Sequence, residues 1–153
     1  MMDESLAAAL EREHHEIDAG LESLTRDGQV PDVERSLRAI AALRRHIYLE
    51  EEFLFPPLSG GSLVAPLFVM LREHGQLWHV LDELEAGLRT AADPAALREC
   101  CHRLGVQLLH HNMKEERVIY PAADESLPPD VAARLQELLE TGELPDGWTC
   151  ARA

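Results

Sequence analysis

Two stretches of this chain are near-copies of one another, and any fold it adopts must give both copies equivalent surroundings. His46-Ile47-Tyr48-Leu49-Glu50-Glu51 with Leu54-Phe55-Pro56 returns 65 positions later as His111-Asn112-Met113-Lys114-Glu115-Glu116 with Ile119-Tyr120-Pro121. Upstream, Arg12-Glu13-His14 followed by Ile17, Leu21 and Leu24 returns 60 positions later as Arg72-Glu73-His74 followed by Leu77, Leu81 and Leu84. The unit is one histidine and then a His-x-x-x-Glu pair. Each copy brings three groups able to bind a transition metal, so two metals in one site is the expectation.

Apolar residues recur every three or four positions, with Pro and Gly between the runs and no alternating strand pattern, which predicts an all-α chain. The first helix is expected over about Asp3 to Thr25, broken by Asp27-Gly28 and Pro31. The second runs from about Asp32 to Phe55, the third from about Leu63 to Thr90. The fourth, over about Pro94 to Tyr120, opens with Asp93 as N-cap and Pro at its first position. Short connections between long helices predict an up-down-up-down antiparallel four-helix bundle over residues 1–125. Residues 126–153 are expected to add a short fifth helix from Pro128-Pro129-Asp130 to near Gly142, and an irregular tail with Trp148 tucked onto the bundle.

Residues four apart share a helix face, so His46 with Glu50 and His111 with Glu115 each form a ready chelate. Counted from turns near residues 28, 60 and 92, the candidates on all four helices fall within roughly 6 Å of one height at about 1.5 Å per residue. His14, His46, Glu50, His74, His111 and Glu115 are therefore expected to converge on one layer. Buried together, they need satisfying, since each unpaired polar group costs on the order of 1 to 3 kcal/mol. Two cations would satisfy them. Imidazole and carboxylate without thiolate suits iron, manganese or zinc, and carboxylates able to bridge favour paired iron.

The remaining composition mainly excludes. A formal charge of -14, from 28 acidic and 14 basic residues, argues against nucleic acid and anionic lipid as partners. No apolar run reaches the length of a membrane span and no secretory leader follows Met1, so a cytoplasmic location is expected. Three cysteines, two of them the adjacent Cys100 and Cys101, make no disulfide framework and no spaced thiolate site. Nothing in the sequence fixes an oligomeric state.

The pattern His14, His46-x-x-x-Glu50, His74, His111-x-x-x-Glu115, with a Glu-Glu-x-x-aliphatic-aromatic-Pro ending after each pair, resembles the hemerythrin-like, HHE cation-binding domain over roughly Asp3 to Glu125. That resemblance implies a four-helix bundle around a non-haem diiron centre, two iron ions bridged by oxo or hydroxo and carboxylate groups and held by those six residues. It implies a small oxidant as partner: dioxygen, peroxide or nitric oxide. An enzyme of this kind would consume peroxide as a catalase does; the alternative is a non-enzymatic iron or oxygen sensor, or an iron-binding protein. Oxygen-carrying members have His-x-x-x-His on the third helix. Here Trp78 stands four positions after His74, which shifts the expectation from oxygen carriage to redox or sensing roles.

Other candidates are weaker. His79 points about 100° away from Trp78 around its helix, and His15 and His110 point away from their stronger neighbours. Glu51, Glu52 and Glu116 are expected in solvent or near a helix cap, with Glu51 and Glu116 the better placed of the three to hydrogen-bond near the site. Tyr48 and Tyr120 could each offer a phenolate, although Tyr48 falls on the far face. Leu77, Trp78, Leu81, Leu108 and Met70 are the expected apolar walls. The ferritin-like strings Glu11-x-x-His14 and Glu99-x-x-His102 sit on the wrong helices, with His102 some 13 Å from the His111 layer at about 1.5 Å per residue.

Overall fold

Caps and prolines set the helix boundaries. In the computed structural model, which describes residues 4–153, the Ser5 hydroxyl accepts the Ala8 N–H at 3.1 Å and opens α1 (Leu6–Gly20). The Asp32 carboxylate accepts the Arg35 N–H at 3.1 Å and opens α2 (Val33–Leu49). There follow α3 (Phe55–Leu58), α4 (Val64–Arg89), α5 (Pro94–Lys114), α6 (Tyr120–Ser126) and α7 (Pro129–Thr141), with no strand among the described residues. The expected helix start at Asp3 lies outside the described residues. The expected end at Thr25 is corrected: α-helical bonding stops at Gly20, and Glu22–Leu24 tighten into a single 3-10 turn.

The largest departure from the expected helices falls where the two copies of the repeat end. Glu50–Leu54 and Glu115–Ile119 each form one wide π turn, in which the Phe55 and Tyr120 N–H groups bond the Glu50 and Glu115 carbonyls five residues back. Pro56 and Pro121 supply the reason. Each lacks an N–H, and in α geometry each ring would meet the carbonyl four residues back; a wider preceding turn removes the clash. The consequence is rotational. Residues five apart in an α-helix lie about 140° apart around its axis, whereas the π turn brings Phe55 onto the face of Glu50 and Tyr120 onto the face of Glu115.

Helices α1, α2, α4 and α5 form the bundle, and α6 and α7 pack on α1. Gly20 allows the close approach of α1 to α2, since a Cβ there would lie 2.7 Å from that of Ala39. The apolar interior is divided in two. One cluster holds Ile17, Ile40, Leu43, Leu77, Trp78, Leu81 and Leu108; the other holds Leu10, Leu49, Leu54, Phe55, Leu67, Met70 and Tyr120. Among the described residues, no helix is long and apolar enough to cross a membrane. Trp148 packs edge-on against Trp78 and Tyr48, with ring centroids 5.6 and 5.2 Å away. Leu81, fully buried in the first cluster, tests how tightly that half is packed: Leu81→Ala is expected to lower unfolding free energy by about 2 to 5 kcal/mol in urea titrations, and a loss under about 1 kcal/mol would contradict a close-packed bundle.

Candidate metal centre

Between the two apolar clusters lies a layer of buried polar groups. His14 comes from α1, His46 from α2, His74 from α4 and His111 from α5, while Glu50 and Glu115 each begin a π turn. All six are at most 3 % exposed. Their donor atoms fall into two groups, His14, His46, Glu50 and Glu115 in one and Glu50, His74, His111 and Glu115 in the other, each spanning no more than 4.8 Å.

Both carboxylates belong to both groups. Glu50 turns Oε2 to His46 Nε2 at 3.3 Å and Oε1 to His74 Nε2 at 3.1 Å. Glu115 turns Oε1 to His14 Nε2 and Oε2 to His111 Nε2, each at 3.3 Å. Adjacent donors around one cation at about 2.1 Å are separated by about 3 Å, so this spacing would fit a cation in either group, with both carboxylates within reach of both.

The two groups differ in one atom. Tyr120, fully buried, places its hydroxyl 2.7 Å from Glu50 Oε2, 3.1 Å from Glu115 Oε1, and 2.9 and 3.0 Å from Nε2 of His14 and His46. In the mirrored place of the second group stands Phe55, whose ring stacks on His74 with centroids 5.6 Å apart. Glu50 Oε1, His74 Nε2 and Glu115 Oε2 accordingly have no hydrogen-bond partner, although the first two are only 3.1 Å apart. Closeness without hydrogen-bond alignment is what donors aimed at a common point produce. Three orphaned polar atoms in a buried layer would be costly on their own, and a cation is the group that would satisfy two carboxylate oxygens and an imidazole nitrogen at once.

Four further glutamates orient the histidines. His14 Nδ1–H donates to Glu116 at 2.8 Å, His46 to Glu13 at 2.8 Å, His74 to Glu51 at 2.7 Å and His111 to Glu73 at 3.0 Å. Because a carboxylate only accepts, each Nδ1 carries a proton, and with a cation bound each ring would be left with its Nε2 lone pair facing inward. Glu51 and Glu116 answer the expectation from sequence. Glu13 and Glu73 were not anticipated as partners, although the repeat contains them, each just before a site histidine. Each outer carboxylate accepts from a histidine of another helix, so the four carboxylates link the four helices in a ring.

Without metal, this layer binds protons. Burial opposes charge on His46, but Glu50, aided by Glu13, outweighs it and pushes the pKa up to about 10. Burial is likewise overcome at His74 by Glu115 and Glu50, and at His111 by Glu115, and both imidazoles are raised. Glu115, against its burial, is held well down by His111. The bond from His111 draws Glu73 down to about 2. Burial pushes the Tyr120 phenol well up.

The other sequence candidates lie elsewhere. His15, His79, His102 and His110 are exposed, as are Glu52 and Glu99. Tyr48 is half-buried beneath Trp148 and Phe53. All three cysteines are buried free thiols. Tyr120 is the residue that sequence reasoning left unplaced, and Pro121 directly after it was the available signal.

An all-α bundle with His and Glu groups buried across its middle defines a metal-binding helical protein. The family model of the hemerythrin HHE cation binding domain matches residues 4–123, and the chain belongs to that family. No curated protein and no solved structure gave a significant match.

The raised imidazoles give the metal-free form a definite pH dependence. A histidine with a folded pKa above its unfolded 6.5 stabilises fully below that value and loses the contribution as pH rises toward the folded pKa, about 10 for His46. Metal-free protein is therefore expected to melt at progressively lower temperature between pH 6.5 and 10 in calorimetry. A flat profile over that window would contradict the imidazolium–carboxylate layer.

Proposed function

We propose that the chain holds two iron ions between these donor groups and there binds or reduces a small oxidant: dioxygen, hydrogen peroxide or nitric oxide. The observation that supports this reading is that each buried carboxylate turns one oxygen to each group, so that the groups share two bridges. Imidazole and carboxylate donors without thiolate suit iron. Paired irons, when bound, supply one-electron redox steps and Lewis acidity toward a small coordinating molecule.

The residues of the chain set the rest. His14, His46, Glu50, Glu115 and Tyr120 form a five-donor set. Glu50, His74, His111 and Glu115 form a four-donor set, with Phe55 where a fifth donor would stand, and an ion held here would keep one more coordination position for an oxidant. Leu77, Trp78 and Leu108 close the layer from one side, and Leu54 and Met70 belong to the cluster on the other. A groove of about 650 Å³ between α1 and α5 reaches His14 and Glu116 past Leu21, Leu108 and Leu109. Glu116, which accepts from His14 and also lines this groove, is placed to carry a proton between solvent and the centre. A larger groove of about 720 Å³ balances Arg12, Arg35, Arg38 and Arg45 against Glu13, Glu16, Glu140 and Glu143 and contains none of the six donors.

Two measurements test the reading. Iron-loaded wild type is expected to retain two equivalents and to consume peroxide, while His111→Ala loses one equivalent and most of the turnover; an unchanged variant would refute the donor assignment. Two bound irons without turnover would instead identify a sensor or iron-binding protein. The second test is optical. Tyr120→Phe is expected to abolish a visible phenolate-to-ferric band that Tyr48→Phe leaves intact, with two irons still bound, and a band insensitive to Tyr120 would remove it from the donor set.

A further inference from the structure

The C-terminal segment after α7 forms a strap that reaches the second donor group. Gly147, at a φ of 77°, turns the chain, and the Trp148 N–H closes the turn on the Pro145 carbonyl at 3.1 Å. Trp148 then anchors the strap: its indole N–H donates to Glu52 at 3.1 Å and its ring meets Trp78 and Tyr48 edge-on. Cys150 enters the core cluster, and the Arg152 guanidinium lies over the Phe68 ring at 5.1 Å.

Two backbone groups of the strap meet the centre's surroundings. The Ala151 N–H donates to Glu51 Oε1 at 2.9 Å, while Oε2 of the same carboxylate accepts from His74 Nδ1 at 2.7 Å. One residue past His74, buried Gly75 lies so close beneath the strap that any Cβ would run into the Arg152 carbonyl. The comparison with the other outer carboxylates is informative. Glu13 is steadied by Arg45 and Glu73 by Lys114, both side-chain cations of the bundle helices. Glu51 is instead steadied by a backbone N–H from the far end of the chain.

We propose that the strap is a positioning element for the second metal position: through Ala151 it fixes Glu51, and through Glu51 it fixes the ring of His74. The inference rests on the dinuclear reading above. A carboxylate gripped at both oxygens cannot swing, so the imidazole it holds keeps one orientation and one tautomer. The Glu51–His74 pair belongs to the group with four protein donors, where the loss of one well-aimed nitrogen has the larger effect. The first group, with Tyr120 and with His14 and His46 held by Glu116 and Glu13, meets the segment after α7 one step further out, where the Gly142 carbonyl accepts from Arg45, the partner of Glu13, a contact that substitutions at Ala151 and Gly75 leave in place.

The test uses full-length variants that leave all six donors and Glu51 in place. Ala151→Pro removes the N–H, and Gly75→Ala lifts the strap from α4. Each is loaded anaerobically with ferrous iron and challenged with a colorimetric ferrous chelator. Wild type is expected to release both equivalents slowly. Each variant is expected to release one of the two about 10 to 100 times faster, the usual effect of losing an outer-sphere partner, and the other at the wild-type rate. Arg152→Ala, which keeps the backbone groups, should match wild type, whereas Glu51→Ala should match the strap variants. Wild-type kinetics in both strap variants, or equal acceleration of both equivalents, would overturn the strap's role. A wild-type chain that takes up fewer than two equivalents would overturn the dinuclear reading, and this inference with it.

Discussion

Two carboxylates lie at the centre of an apolar bundle, and most of the structure can be read as a response to them. Glu50 and Glu115 are at most 1 % exposed. Left charged and unpaired, such groups would be among the most unfavourable features a small domain could carry. Each is instead surrounded by imidazoles from different helices. Taking any one helix away would leave a buried charge uncompensated, and this makes the polar layer a determinant of which faces pack together. The leucines of the two clusters favour burial in general, but leucine surfaces slide and rotate with little penalty. A layer of directional donors admits one register.

The two prolines explain how so symmetric a motif produces an asymmetric centre. Pro56 and Pro121 force equivalent π turns, and these deliver equivalent aromatic residues to the interior. The His14–His46 and His74–His111 ring pairs even share their geometry, with centroids 4.8 Å apart and planes at 55°. Phenylalanine at one of the two delivered positions and tyrosine at the other then breaks the symmetry by a single oxygen atom. That oxygen lies within hydrogen-bonding reach of every member of the first group, and the three partnerless atoms of the polar layer all face the second. The difference between two otherwise matched groups of side chains therefore originates in one residue rather than in the fold.

Legibility in the sequence followed the regularity of the backbone. The burial of six residues in one layer was accessible because a spacing of four puts His46 with Glu50 and His111 with Glu115 on one helix face, and the duplicated flanking sequence pointed to His14 and His74. Although Asp93, expected as a cap, precedes α5 without a side-chain bond to it, the start of α2 near Asp32 and that of α7 at Pro129 were likewise readable. Tyr120 was not, because α-helical periodicity places it about 140° from Glu115 and only the π turn brings it round. Glu13 and Glu73 escaped for a different reason: they act across helices, on histidines 33 and 38 residues away, and a charged residue beside a histidine reads as solvent-facing until its neighbour is known. The strap was least visible, since its contacts with the centre are made by backbone atoms, whose direction residue identity does not encode.

The outer carboxylates suggest how rigidity and access are divided. Glu13, Glu73 and Glu51 each have a second holder, respectively Arg45, Lys114 and the Ala151 N–H. Glu116 also borders the groove between α1 and α5. Three sides of the layer are thus fixed by contacts that hold an imidazole at both ends of its carboxylate partner. The fourth side faces an opening wide enough for a molecule of a few atoms. Contacts gripped at both ends keep the helices in register on those three sides. Glu116 stands instead at a groove beside His14, on the side where the Tyr120 hydroxyl meets the polar layer, while the group that lacks such a hydroxyl lies under the strap.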